Sequence, residues 1–332
     1  MKKILFIIFC IIIIFVSCSN KKYYYIKGFI QGTTFHIKYE HTKNLSNEID
    51  FLLQLFNTYF SNYDSTSLIS RINRNETDTL NEILEKLLNE SFKINYITDG
   101  AFDITVAPLA NLWNFGWKKS EQIVPDSAKI DSVLKYVGMN KISIKNHRLI
   151  KENENTTIIV NAIAQGLSSD FIADYFNSLG ITNYLVEIGG EVFCKGVNSS
   201  GKEWNVGIEK PINNDLEINE SKLIVKLSNK SICTSGNYRK FVEFEGKKYG
   251  HELDPKTGYP AKNSLLSVSV ISNSAMYSDA MATAFMVLGL EKSMKITDSI
   301  PELEACFIYS DTITNTEKIA FSKNFAKYIK NP

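Results

Sequence analysis

The sequence predicts an α+β protein. Two long stretches carry helical apolar spacing, several shorter ones alternate as strands do, and no tandem repeat or low-complexity linker divides the chain. The composition is that of an ordinary globular protein, with 332 residues, net charge +1 and 44% hydrophobic residues. A chain built chiefly to bind nucleic acid would show a basic excess, and this one does not.

The first element is a targeting segment. Lys2 and Lys3 precede an apolar run from Ile4 to Val16 that ends at Ser17-Cys18-Ser19. A basic start, a short apolar core and a small residue describe a secretory signal, and the run is short for a bilayer span. The FVSC sequence ending in Cys18 resembles a lipobox, where a bacterial lipoprotein is cleaved and lipidated on cysteine; an uncleaved anchor or an ordinary signal with a chance Cys is the alternative. The expected organisation is a signal peptide over 1–17, a tether over 18–27 and a single domain over 28–332, facing the periplasm or cell exterior. Cys194, Cys233 and Cys306 are widely spaced and odd in number, which predicts buried free thiols rather than disulfides or a zinc site.

The elements follow in order. Phe29 to Tyr39 is β-rich and interrupted by Gly32-Thr33-Thr34. Asn44–Tyr59 and Leu80–Tyr96 have the spacing of amphipathic helices. A weaker helix is expected over Ser127–Val137, then a hairpin. Leu167, Phe171, Tyr175 and Leu179 mark one helix face, with Gly180 as its C-cap. Tyr184–Ile188, Trp204–Pro211, Lys222–Leu227, Ser231–Cys233 and Leu265–Ser272 read as strands. Ser278 is placed to cap a helix over Asp279–Leu288.

Four stretches carry candidate chemistry. Tyr249 to Pro260 (YGHELDPKTGYP) sets His251 beside Glu252 and Asp254 in a loop stiffened by two prolines and a glycine, unless it is a plain surface turn. Thr98–Gly116 combines Asp103 with Phe102, Trp113 and Phe115, or is simply an aromatic cluster. NAIAQG (Asn161–Gly166) leads into a helix whose N-terminal N–H groups favour anions, although small residues also merely permit close packing. Asp279 and Thr283 are four apart on one face of an apolar helix, oxygen ligands for a hard cation such as Mg²⁺ or a cap and a tolerated core residue.

Taken together, these segments resemble the ApbE family of FAD:protein FMN transferases. The resemblance runs through GTTF at Gly32–Phe35, SNYDSTSLISRIN at Ser61–Asn73, GAFDITVAPLANLWNFG at Gly100–Gly116 and NAIAQG. It continues through EIGGE at Glu187–Glu191, ICTSGNYR at Ile232–Arg239, HELDPKTGYP and SDAMATAFMVLG at Ser278–Gly289. It implies mixed β-sheets with flanking helices forming two lobes around a cleft. It also implies Mg²⁺-dependent transfer of the FMN moiety of FAD to a threonine hydroxyl of a partner protein, with release of AMP. The acceptor would be a membrane redox protein with a Ser-Gly-Ala-Thr-like motif, such as a subunit of a sodium-pumping quinone reductase or Rnf-type complex. Asp279, Thr283 and the backbone carbonyl of Ala162 fall on the family's metal positions. Gln31, Tyr63, Ala101, Phe102, Asp103, Gln165 and Leu253 match FAD-contacting positions, and His251 matches the proposed general base. Arg239 is a further candidate for phosphate. Ile159, Gln165 and Ala282 depart from polar or charged residues found in many members, with an expected effect on affinity. Two other readings stay open: an Mg²⁺-dependent FAD pyrophosphatase giving FMN and AMP, and a lipoprotein that binds flavin without catalysis.

Overall fold

Gln31 and Gly32 both take positive φ (55° and 74°), the backbone of a two-residue hairpin turn whose twist matches its strands. They join β1 (Lys22–Ile30) to β2 (Thr33–His41), paired residue for residue from Lys22↔His41 to Ile30↔Thr33. A second such turn, Gly189-Gly190, joins β3 (Tyr184–Ile188) to β4 (Glu191–Lys195). With β5 (Lys230–Gly236), β6 (Leu265–Ser272), β7 (Glu304–Asp311) and β8 (Thr316–Phe321) these form one eight-stranded sheet in the order β1 to β8. The computed structural model describes residues 21–118, 124–209, 223–237, 241–244, 247–311, 313–314 and 316–330. The expected signal peptide, Cys18 and Arg239 lie outside them.

The α+β class is as expected, but the sheets are not mixed. Every strand pairing among the described residues is antiparallel, including those of three separate two-stranded hairpins. Two-residue turns can join only antiparallel neighbours. A second correction concerns residues 22–27, expected to be a tether. They form most of edge strand β1, and Tyr23 anchors them by donating to the Val197 carbonyl (2.7 Å) and meeting the Trp204 ring edge-on. A third concerns β5, which continues through Thr234–Gly236 instead of breaking there, because these residues pair with Ser267–Ser269 of β6.

Among the described residues, five longer helices pack on the sheet or on one another: α1 (Ser46–Phe60), α2 (Glu82–Ile97), α3 (Asn161–Ser178), α4 (Ala275–Leu288) and α5 (Leu290–Ser299). Asn81 caps α2 by accepting from Leu84 N–H. Helix α3 already begins at Asn161, so NAIAQG is its first turns rather than its approach. Its buried residues are Ile163, Ala164, Gly166, Leu167, Ile172, Ala173 and Phe176 among others, whereas Leu179 of the expected face is 43% exposed. A helix wedged between a sheet and a second helix is buried on two sides, and no single apolar stripe records that. The three cysteines are free and buried as expected, and burial pushes the Cys194 and Cys306 thiols up to about 12.

Helix α4 starts a turn earlier than Ser278 suggests. Ser274 is its N-cap, and Asp170 of α3 accepts from Ser274 Oγ (2.7 Å), Ala275 N–H (2.9 Å) and Met276 N–H (3.0 Å). A carboxylate from a neighbouring helix thus meets donors that would otherwise go unsatisfied. Ser278 instead bonds Ser231 and Ser272 inside the core (2.8 Å each). Asp279 is therefore an interior residue of α4 and has no part in capping.

The crossing of α3 over α4 depends on Gly166. A Cβ there would lie 2.2 Å from the Ala275 carbonyl oxygen and 2.7 Å from Asp279 Cβ. Gly166→Ala is expected to force the helices apart at a cost of ~1–3 kcal/mol. Thermal unfolding should report this as a melting temperature lower by several degrees; an unchanged value would mean the crossing yields freely.

Candidate active site

One cavity of about 1300 Å³ opens between the ends of α3 and α4, the β1–β2 turn, β5 and the two loops that carry residues 101–104 and 251–255. Typical small-molecule pockets hold ~300–1,000 Å³, so this one has room for a dinucleotide. All eleven residues singled out for FAD, metal or base line it: Gln31, Tyr63, Ala101, Phe102, Asp103, Ala162, Gln165, His251, Leu253, Asp279 and Thr283. They come from six segments of the chain, and only the fold brings them together.

At one end Asp279 is buried, and its Oδ2 accepts the Gly166 N–H at 2.9 Å. In a regular helix that N–H would serve the carbonyl of Ala162, four residues back. Since a carbonyl oxygen has two lone pairs, the Ala162 carbonyl retains acceptor capacity beside the carboxylate. Thr283, one turn further along α4, places its Oγ1 3.1 Å from Ser235 Oγ of β5. Burial pushes the Asp279 carboxyl up to about 7; the Gly166 N–H opposes this, and the nearby charges of Glu252 and Asp170 reinforce it. Among the described residues, the groups that shift this carboxyl include no positive charge. One carboxylate with a hydroxyl and a carbonyl oxygen is the donor chemistry of a hard divalent cation that also takes oxygens from a phosphate, so these residues fit Mg²⁺.

Across the cavity, the loop after Gly250 is tied down from within. Ala261 N–H donates to the Glu252 carbonyl, Asp254 N–H to the Tyr259 carbonyl and Gly258 N–H to the Asp254 carbonyl, each at 2.8 Å. Gly258 needs its positive φ (75°), and a Cβ would meet Ile130 at 2.5 Å. Trp113 Nε1 donates to the Gly258 carbonyl at 2.9 Å, pinning the loop to a small core of Leu109, Ile130, Ile159 and Leu253. Asp254 braces the turn, its Oδ1 accepting from Lys256 N–H at 2.9 Å. Glu252 does more than that. It is buried, with Oε1 3.1 Å from His251 Nε2, while the Phe115 ring meets the imidazole edge-on at 6.3 Å.

The remaining residues divide by exposure. Tyr63 is 66% exposed at the rim, its hydroxyl 3.4 Å from Asn161 Nδ2, and presents a ring face. Phe102 lies almost wholly in the core, so it supports the wall more than it offers a surface. The Asp103 carboxylate accepts from Thr105 N–H, Thr105 Oγ1 and Met139 N–H, which fixes the loop bearing Ala101 and Phe102. Gln31, in its positive-φ turn, donates through Nε2 to Ser168 Oγ (2.8 Å). Gln165 packs so closely on Gly189 that a Cβ there would lie 2.7 Å from its Nε2. Ile159 donates its N–H to the Ile104 carbonyl and packs in the small core. Sequence reasoning passed over individual roles for Gly166, Asp170 and Ser235, and it noted Glu252 only as a neighbour of His251. Asp170 acts through partners more than a hundred residues away, which no local pattern marks.

Comparisons with known proteins give a consistent set of similarities. The sequence profile described as the ApbE family matches residues 31–307. FAD:protein FMN transferase of Vibrio cholerae serotype O1 is 36% identical over 284 residues, covering 83% of this chain and 84% of that protein. The enzyme of the same name from Haemophilus influenzae is 34% identical over 288 residues, 82% and 83% of the two chains. Among solved structures, flavin transferase ApbE from Vibrio cholerae superposes with a TM-score of 0.84 at 32% identity, over 93% of this chain and all of that one. Flavinyl transferase ApbE from Pseudomonas stutzeri gives 0.82 at 29% identity, over 94% and 98%.

Proposed function

Because the chain belongs to the ApbE family of flavin transferases, we propose that it moves the FMN half of FAD onto a threonine hydroxyl of a partner protein and releases AMP. The observation that carries this reading is the cavity that His251 lines together with Asp279 and Thr283 of α4. Asp279, Thr283 and the Ala162 carbonyl would hold Mg²⁺, which when bound neutralises charge on the pyrophosphate oxygens. Tyr63 covers the flat rings at the rim, while Gln31, Gln165 and Leu253 border the ligand. His251 takes the proton of the attacking hydroxyl, a poor nucleophile at neutral pH. The threonine oxygen then forms its bond to the FMN phosphorus as the bond to AMP breaks. Residues 28–332 would act as one catalytic domain. Removal of residues 1–17 would leave it anchored through lipidated Cys18, facing the periplasm or cell exterior, where membrane redox subunits with a Ser-Gly-Ala-Thr-like segment are within reach.

The test is to incubate the protein with FAD, Mg²⁺ and an acceptor fragment bearing that motif. A fluorescent flavin band on a denaturing gel supports transfer. AMP without a band means water is the acceptor and the enzyme is a pyrophosphatase, and neither product leaves only flavin binding. For the anchor, Cys18→Ser is expected to move the protein from the membrane to the soluble fraction; retention in the membrane would refute lipid attachment.

A further inference from the structure

We infer that Glu252 is a positioning residue for the base, stabilising the imidazolium that forms on His251; this rests on the transfer reading above. Its side chain is 8% exposed, and Oε1 stands 3.1 Å from His251 Nε2. In that buried setting a carboxylate interacts with a cation far more strongly than in water. Glu252 has little freedom to move elsewhere. Its carbonyl accepts the Ala261 N–H, and the next residue, Leu253, bridges Pro260 and packs on the Trp113 cluster.

Among the described residues, Glu252 is a carboxylate placed 3.1 Å from the imidazole. Phe115 offers a ring edge, Gln165 and Thr234 are neutral, and Asp279 lies on the far wall within electrostatic range of Glu252. Glu191 lines the same cavity from β4. As the acceptor hydroxyl attacks, its proton passes to the imidazole. The new O–P bond replaces the one to AMP, which leaves with the electron pair, and the imidazolium is matched by the fixed Glu252 carboxylate. An orienting acid behind a histidine base is a recurrent arrangement in nucleophilic catalysis.

Glu252→Gln tests this, because it keeps shape and removes charge, with Glu252→Asp as the conservative variant. Single-turnover FMN transfer to the acceptor fragment would be followed from pH 5.5 to 9, with FAD binding read by flavin fluorescence. The expected result for Glu252→Gln is FAD affinity within a few-fold of wild type and transfer slowed ~10- to 100-fold. Its ascending pH limb should shift about one unit lower, and Glu252→Asp should restore much of the rate. Wild-type rate and limb in Glu252→Gln would overturn the inference. So would a slower rate with an unmoved limb that Glu252→Asp fails to rescue, since that describes a packing role. A wild-type enzyme that never labels the acceptor overturns the transfer reading itself, and this inference with it.

Discussion

His251→Ala is expected to abolish measurable flavin transfer while leaving FAD binding largely intact. General-base catalysis contributes ~10²–10⁴-fold, and removing the imidazole leaves the hydroxyl with no group to take its proton. The loop would survive the change, because its hydrogen bonds run through the backbone of Glu252, Asp254, Gly258 and Ala261 and through the Trp113 indole. Retained binding is the informative half of the result, since the ring-covering and pyrophosphate-facing residues come from other segments. Single-turnover labelling of an acceptor fragment, with flavin fluorescence titration alongside, measures both quantities. A variant that labels at the wild-type rate would remove His251 from the reaction.

For Asp279→Ala the expected outcome is loss of Mg²⁺-dependent turnover together with lower stability. The carboxylate does two things: it would supply the charged metal ligand, and it accepts the Gly166 N–H where α3 crosses α4. Asp279→Asn separates them, since the amide oxygen can still accept that N–H but brings no charge. The Asn variant should fold well and fail to respond to Mg²⁺; activity unchanged across a magnesium titration would sink the assignment. Stability also carries a pH signature. The folded carboxyl titrates at about 7 against an ordinary 3.8, so the native state holds its proton where the unfolded chain has lost it. Without a divalent cation, this group's contribution is full below pH 4 and is lost as pH rises through 7, on the order of a few kcal/mol. Melting temperatures measured in chelator from pH 5 to 8 should fall for wild type more steeply than for Asp279→Asn, and Mg²⁺ should restore the wild type at the upper end. Parallel curves for the two proteins would contradict this.

Much of the fold was legible in the sequence because it is locally written. Helices α1 and α2 announce themselves through one apolar stripe each, and β3 and β6 through β-rich runs that end in glycine or helix-capping signals. The loop at His251 was readable for the same reason, since Asp254, Pro255, Gly258 and Pro260 dictate a turn wherever they occur. The start of α4 was not, because its Ser274 cap is held by Asp170, more than a hundred residues away. Nor was the true face of α3, since a helix buried on two sides has no single stripe. The expected tether proved to be a strand because β2 offers it a full partner, something only pairing can decide.

The same division holds at the site. The sequence by itself determined which residue types are present and how stiffly each is held: an imidazole in a braced loop, a carboxylate and a hydroxyl one turn apart, small residues at a helix start. Tertiary structure alone decided that they share one cavity, because α3 and α4 must approach closely enough at Gly166 for Asp279 to take a backbone N–H from its neighbour. It also set the charge environment. Glu252 stands next to His251 in sequence, yet its importance comes from burial and from Asp279 across the cleft, and desolvation depends on what the rest of the chain excludes.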